Sequence, residues 1–388
     1  MGEIAMPAKS KISSIWNDST VAQPYRSGLS LHSHTSCSEE SLTFIHKMFR
    51  VVPGMKFIFE HYERQGLKAG LKLDFVRAHW RPPLLPKMAY DLEYRPIQAL
   101  GLEPLISITD HDTIEAPMLL RTVSSSRHIP VSVEWTLPFG PTELHIGIHN
   151  LPSADGHTWM RRLASYTACP NEAILLDILQ DLHEIPGVLI VLNHPIWDLH
   201  VIGGGIHCRE MMRFLEITGE RIHALELNGL RDARENRTVV QLARETGYLL
   251  ISGGDRHSME PNANINLSAA STFREFVDEI RVDRRSHILF MHQYAKPWEQ
   301  RILHSTLDCV SDFPEFIEGW RRWDDRAFHP DRNGEMRPLS QLWEDGHAPW
   351  PLRAAIQFVR MGRSRTFSQT FSLALPGAVN AEREIELL

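Results

Sequence analysis

The chain has 388 residues, of which 43% are hydrophobic and 23% charged, and its formal net charge is −7. That balance suits a globular chain of one large domain with an appendage, or of two domains. It speaks against a duplex-DNA binder held by a large basic face, and no apolar run is long enough to span a bilayer. The opening MGEIAMPAKSKISSIW has no apolar signal core, so a cytoplasmic location is expected. Cys37, Cys169, Cys208 and Cys309 are far apart and form no CxxC pair. They read as reduced thiols, neither a disulfide frame nor a zinc knuckle. Histidine stands out at 21 residues, and as the commonest metal-ligating side chain it raises the expectation of a metal site.

In chain order, the first predicted strand is GLSLHSH (28–34). Side chains i and i+2 of a strand share a face, so His32 and His34 aim together. SCSEE (36–40) follows, with Glu39 and Glu40 close behind. Residues 41–100 are long for one connection and contain RPPLLP (81–86), whose prolines break regular structure. Lys47, Arg50, Lys56, Arg64, Lys68, Lys72, Arg77, Arg81, Lys87 and Arg95 make this stretch locally basic. It is predicted to be a helical insertion or lid near the site; the blander alternative is a solvated helical face.

LISITDHD (105–112) is a second strand run, ending in Asp110, His111 and Asp112, and IEAPMLLRTV (114–123) has helical spacing. VSVEW (131–135) carries Glu134 and LHIGIHN (144–150) carries His145. NEAILLDILQDLHEI (171–185) is a predicted helix with Asn171 as N-cap. GVLIVLNHP (187–195) ends in Asn193 and His194; beyond it His207 follows GGG (203–205) and is read as a loop residue. HALELNG (223–229) precedes Arg231 and Arg234. RENRTVVQLARETG (234–247) places Val239, Leu242 and Ala243 on one helical face and stops at Gly247. YLLISGGDRH (248–257) brings Asp255 and His257 to one face with Arg256 between them, and SHILFMH (286–292) is the last strand run. From 293 to 388 the chain is predicted to form a mainly helical extension packed on residues 1–292, with DFPEFIEGWRRWDD (312–325) and LRAAIQFVRM (352–361) as amphipathic helices.

Short apolar runs alternating with helical segments predict an α/β fold, and seven or eight such units predict a closed or distorted barrel. In parallel-strand barrels the reactive groups come from the carboxyl ends of different strands, where these histidines and acids fall. A single one there is usually a satisfied polar residue; a set from six strand ends is harder to assign to chance. Mixed imidazole and carboxylate donors suit Zn²⁺, Mn²⁺ or Fe²⁺, and the set is large enough for more than one ion.

HSHTSCSEE, ITDHDT, the Glu134 strand, the His145 strand, LNHP and GGDRH, in this order, resemble the PHP (polymerase and histidinol phosphatase) superfamily of metal-dependent phosphoesterases, over about residues 28–290. The resemblance implies a distorted (β/α)7 barrel and two or three divalent ions. One ion would be held by His32, His34, Asp255 and a bridging Glu134, and a second by Glu134, His145 and His194. A third would use Glu39, His111 and His257, with Glu40 as the substitute for Glu39. The family usually has Asp or His at the position of Glu39, and Ser where Gly254 precedes Asp255.

Such a centre implies hydrolysis of a small phosphomonoester by metal-activated water, with a nucleotide phosphate favoured, and Glu134, His194 and Asp255 central to it. Arg231, Arg234 and Arg256 are candidates for the phosphate, although Arg256 would point away from its neighbours on a regular strand. His207 is the candidate leaving-group acid, and Asp112 and Asn193 are expected to orient the histidines. One alternative is a nuclease that trims short single-stranded oligonucleotides along the basic 41–100 segment. Another is a non-catalytic metal-binding module. Duplex DNA and membranes are not expected partners.

Overall fold

The computed structural model describes residues 9–42, 64, 74–343 and 346–361. They fall into two compact units, one running up to Cys37 and from Leu84 to Ile302, the other from Ser38 to Pro83 and from Leu303 onward. This partition differs from the expected one at residue 292. Ladder pairing is the reason: it joins segments from both ends of the sequence. The strands are β1 (Lys9–Ser14), β2 (Ser27–Ser30), β3 (Glu40–Ser41), β4 (His79–Trp80), β5 (Glu103–Ile106), β6 (Val131–Phe139) and β7 (Thr142–Leu151). They continue with β8 (Leu189–Asn193), β9 (Ala224–Asn228), β10 (Leu249–Gly253), β11 (Asn264–Ser268), β12 (Arg285–Phe290), β13 (Ala327–Pro330) and β14 (Met336–Pro338).

The first unit is mixed α/β. Its strands make two five-stranded sheets, ordered β1-β12-β11-β2-β5 and β10-β9-β8-β7-β6. Among the described residues four of the eight neighbouring pairs run parallel, with helices in the connections β8–β9 and β9–β10, as the alternation predicts, and four run antiparallel, β7–β8 among them. Two places depart from the alternation. VSVEW and LHIGIHN form an antiparallel hairpin, β6–β7, turned at Gly140 with φ +56°, where a β/α unit was expected. In addition β11, absent from the sequence reading, runs antiparallel to β2 and β12. Its sequence, NINLS, lacks the long apolar run that marked the other strands.

The two sheets are stitched together at one end. Ser33, beyond β2, bridges Arg256, beyond β10, and His34 N donates to Arg256 O at 2.8 Å. His111, beyond β5, bridges Glu134 in β6; Asp112 N donates to Glu134 O at 2.9 Å and Glu134 N to Asp110 O at 3.2 Å. Leu29, Leu31, Leu189, Val191, Leu249 and Ile251 come from both sheets and pack with Phe273, Phe276, Val277 and Ile280 of the helix Phe273–Arg281. Each such side chain stabilises the unit by roughly 1.5–3 kcal/mol on burial.

Helix ends follow their sequence signals. Asn171 Oδ1 accepts from Ala173 N at 3.0 Å and Ile174 N at 3.2 Å, starting the helix Glu172–His183. Gly247, at φ +77°, ends the helix Ala233–Thr246 in the left-handed conformation that glycine adopts without steric cost. No helix among the described residues is long and apolar enough to cross a membrane.

The second unit holds a four-stranded sheet, ordered β14-β13-β4-β3. Its 327–338 portion is strand, where a mainly helical extension was expected. The predicted helix over 312–325 does not form. Pro314 and Gly319, at φ +79°, interrupt it, and buried Arg326 gathers the carbonyls of Cys309, Ser311, Trp320 and Arg322. The helix Trp350–Met361 does match its predicted segment. Of the expected 41–100 insertion, residues 43–63 and 65–73 lie outside the described residues. The helix Pro86–Ala99 at its end belongs to the first unit, with Pro86 in the first turn, where a missing N–H costs nothing.

Candidate metal centre

Glu134 is the middle of the site. On β6, Val133 and Trp135 face the helical layer, so Glu134 faces the other way, and it is fully buried. Its two oxygens serve different sets of nitrogens. Oε1 lies 3.2 Å from His194 Nε2, 3.4 Å from His145 Nδ1 and 2.9 Å from Asn193 Nδ2. Oε2 lies 2.9 Å from His32 Nε2, 3.3 Å from His34 Nε2 and 3.4 Å from His111 Nε2. The second carboxylate, Asp255, turns Oδ1 to His34 and His257 at 3.5 Å and to His32 at 3.7 Å. The His34 ring also stacks on those of His257 and His111.

Strand ends create this convergence. β2 carries His32 and His34 past its last paired residue, β7 supplies His145, and His194 and Asp255 follow the ends of β8 and β10. His194 (φ +26°) and Asp255 (φ +51°) take left-handed backbone that aims their side chains back across the strand ends. Non-glycine residues there carry strain, which accumulates at functional sites.

The donor chemistry fits divalent cations. One ligand atom from each of His32, His34 and Asp255 lies within 4.8 Å of the others, and the same holds for His111, Glu134 and His145. His32 Nε2 and His34 Nε2 are 3.0 Å apart with carboxylate oxygens beside both, so donor atoms of both rings and of the carboxylates converge on the same space. A cation there would take the place of ring protons, and imidazole with carboxylate is the donor set of Zn²⁺, Mn²⁺ and Fe²⁺.

Charge is balanced inside the cluster. Burial pushes the Glu134 carboxyl up, but the His32, His111 and His145 rings outweigh it and hold the group well below the usual carboxylate range. Asp255 is lowered in the same way, against its burial, chiefly by His32 and His34. Burial works against a charged His145, yet Glu134 and then Glu143 raise it to about 10. His194 goes the other way, to about 4, because burial dominates; its ring is neutral at pH 7 with a lone pair ready to coordinate. Loading an ion beside His145 therefore displaces protons.

Behind these groups stands a layer that the sequence reading largely missed. Glu226 Oε1 is 2.5 Å from His32 Nδ1, while Oε2 accepts from His194 N at 2.8 Å and Asn228 Nδ2 at 2.9 Å. Fixing the far nitrogen of a histidine sets which nitrogen faces a metal. Its signal was available: Glu226 is the one acid inside the apolar run HALELNG. Asn193 Nδ2 donates to Glu134 Oε1 and not to a histidine, and Asp112 Oδ1 accepts from Thr136 N at 2.9 Å and so braces β6.

Other expected site residues fall elsewhere. His207 is not on a loop. It lies in the first turn of the helix Gly204–Thr218, buried, with Nδ1 2.8 Å from Thr142 Oγ1 and Nε2 2.9 Å from Pro195 O. Both ring nitrogens are thus engaged, and the leaving-group acid assignment is withdrawn. Arg256 is neither a surface residue nor free for phosphate; it is buried and bonded to Glu93 and to Ser258 O. Arg234 is exposed on the helix Ala233–Thr246. Arg231 is the arginine at the site. Its Nη2 is 3.5 Å from Asp255 Oδ2, and its guanidinium lies 3.5 Å over the Trp197 ring, which meets the rings of His194 and His145 edge-on. Glu39 belongs to the second unit, where its half-exposed carboxylate takes Arg81 Nη2 at 2.6 Å.

No family model matches the chain. No curated protein matches it either. Among solved structures, it is similar to an amidohydrolase from Chromobacterium violaceum with bound sulfate and no metal, at 16% identity and a TM-score of 0.32, covering 46% of this chain and 84% of that one. It is also similar to a candidate metal-dependent phosphoesterase from Bifidobacterium adolescentis, at 15% identity and a TM-score of 0.31, covering 53% of this chain and 92% of that one. At these values the likeness assigns nothing, and the site stands on its geometry.

Proposed function

We propose that this protein is a metal-dependent hydrolase of a small phosphomonoester, a nucleotide phosphate being the favoured substrate, with its centre at Glu134 in a distorted β/α barrel. The observation that carries this reading is the division of Glu134, with Oε1 toward His145 and His194 and Oε2 toward His32, His34 and His111. A carboxylate so divided can bridge two cations. The stitches Ser33–Arg256 and His111–Glu134, which join the two sheets at this end, support the barrel.

Divalent ions held by these residues would acidify water toward neutrality and offset charge on phosphoryl oxygens. His32, His34 and Asp255 would hold one ion, and His145 and His194 another, with Glu134 shared. His257 and His111 lie beside the first set and supply donors for a third. Glu226 keeps His32 turned so that Nε2 faces the centre. Arg231, braced flat on Trp197, offers a planar fork of donors to an anionic oxygen at the edge of the site.

A phosphoester panel run with Mn²⁺, Zn²⁺ and Fe²⁺, alongside elemental analysis of the untreated protein, tests the proposal. Phosphomonoester hydrolysis is expected, falling by about 100- to 1,000-fold or more in Glu134→Gln and His194→Ala with the fold retained. Glu39→Gln is expected to cost less than Glu134→Gln. Normal turnover by a folded His194→Ala protein would remove the second ion site, and wild-type protein inert toward every phosphoester would remove the function.

A further inference from the structure

The buried ion pair Glu93–Arg256 lies outside the cluster of candidate ligands. Glu93 is on the helix Pro86–Ala99, on the face that also buries Ala89, Tyr90 and Ile97. Its Oε1 accepts from Arg256 Nε; its Oε2 accepts from Asn262 N at 3.1 Å and Ser30 Oγ at 3.3 Å. Asn262 Nδ2 donates in turn to Ser30 Oγ. Both charged side chains are at least 97% buried. Arg256 Nη1 donates to Ser258 O at 3.0 Å, while Nη2 has no hydrogen-bond partner among the described residues.

Such a pair is a poor way to gain stability. Desolvating both charges costs about as much as their attraction returns, and apolar residues of similar volume often do as well. Its position explains it better. Arg256 sits between two candidate ligands, Asp255 and His257, and its carbonyl accepts from His34 N. Ser30 is the last residue of β2, immediately before the segment that carries His32 and His34. One carboxylate therefore ties together the two backbone segments that deliver His32, His34, Asp255 and His257.

We propose that Glu93 is a positioning residue that acts through Arg256 and Ser30 to fix the His32–His34–Asp255 face of the metal centre. The inference rests on the metal-centre reading and not on the choice of substrate. Replacing Glu93 removes the carboxylate tie between the 255–262 turn and β2 and leaves the backbone bond His34 N–Arg256 O and the Asn262–Ser30 bond to hold it, so the carboxylate of Asp255 and the ring of His257 lose precision in their register with His34. The His145–His194 side, which among the described residues has no bond to this network, keeps its geometry.

Titration of the full chain with Co²⁺, read by visible absorption and set beside denaturant midpoints, decides the matter. Wild type is expected to take up Co²⁺. Glu93→Gln is expected to lose about 10- to 100-fold in affinity at one class of site and to change its absorption band, with Glu93→Asp restoring part of both. The double variant Glu93→Leu/Arg256→Met separates positioning from stability, and it decides if Glu93→Gln fails to fold. It should unfold near the wild-type midpoint and still bind weakly. A folded Glu93→Gln or double variant with wild-type affinity and spectrum would overturn the proposal. Wild-type protein that takes up no Co²⁺ would overturn the metal centre, and this proposal with it.

Discussion

Several candidate ligands are held by partners that stand behind the cluster. Glu226 is the clearest case, because its two oxygens hold a side chain and a backbone N–H from different strands, His32 and His194. Glu226→Gln keeps the volume but removes the charge that favours His32 in the orientation seen here. Metal affinity is expected to fall by about 10- to 100-fold while the unfolding midpoint moves little, measured by competition with a chromogenic chelator. An unchanged affinity would reduce Glu226 to a buried structural acid. His207 shows the reverse lesson. Its neighbourhood in sequence suggested chemistry, but bonds to Thr142 and Pro195 O leave it a packing role.

At the scale of elements, strand β10 shows how tightly backbone and site are fitted. A Cβ on Gly253 would lie 1.5 Å from Glu226 Oε1, and one on Gly254 would lie 1.8 Å from Asn262 Oδ1. No side chain fits there without displacing the groups that brace His32 and Asp255. Gly253→Ala is therefore expected to cost metal affinity at least as much as Glu226→Gln does, and stability as well, read from the same chelator competition and from urea unfolding. Wild-type behaviour in both would show that Glu226 can move aside freely. Gly254 is glycine for a local reason: it makes room for Asn262, which also serves the Glu93 network.

Over the whole molecule, buried neutral histidines set a pH limit. His287 is buried between Tyr25 OH and Ser13 Oγ, and burial, aided by Lys11, lowers it to about 4. His149, buried against Ser107, is lowered to about 3, first by burial and then by His32. Both folded values lie below the unfolded value of about 6.5. The unfolded chain therefore binds protons that the folded chain refuses. Their contribution to stability is complete above about pH 6.5 and is lost progressively as pH falls toward 4 and then 3. Urea midpoints measured across this range should decline on acidification, and His287→Gln should flatten the upper part of the slope. An equal slope in that variant would exclude His287 as a source.

Local rules made part of this architecture readable in advance. Apolar runs bounded by polar ends marked most strands of the first unit, and Asn171 and Gly247 marked helix ends, because caps and periodicity act within a few residues. The residue types of the site, imidazole and carboxylate at strand ends, were equally legible. What the chain could not display locally was which segments pair and which charges meet. The β6–β7 hairpin, the short strand β11 and the sheet built from residues near 40, 80 and 330 are fixed by hydrogen bonds between distant stretches. Arg256, beyond the end of β10, turns to Glu93 and not to the cluster that its neighbours Asp255 and His257 join, and only folding put Glu93 opposite it. The same holds for Glu226 behind His32: a buried charge is placed by the partner that offsets its desolvation, and that partner is chosen in three dimensions.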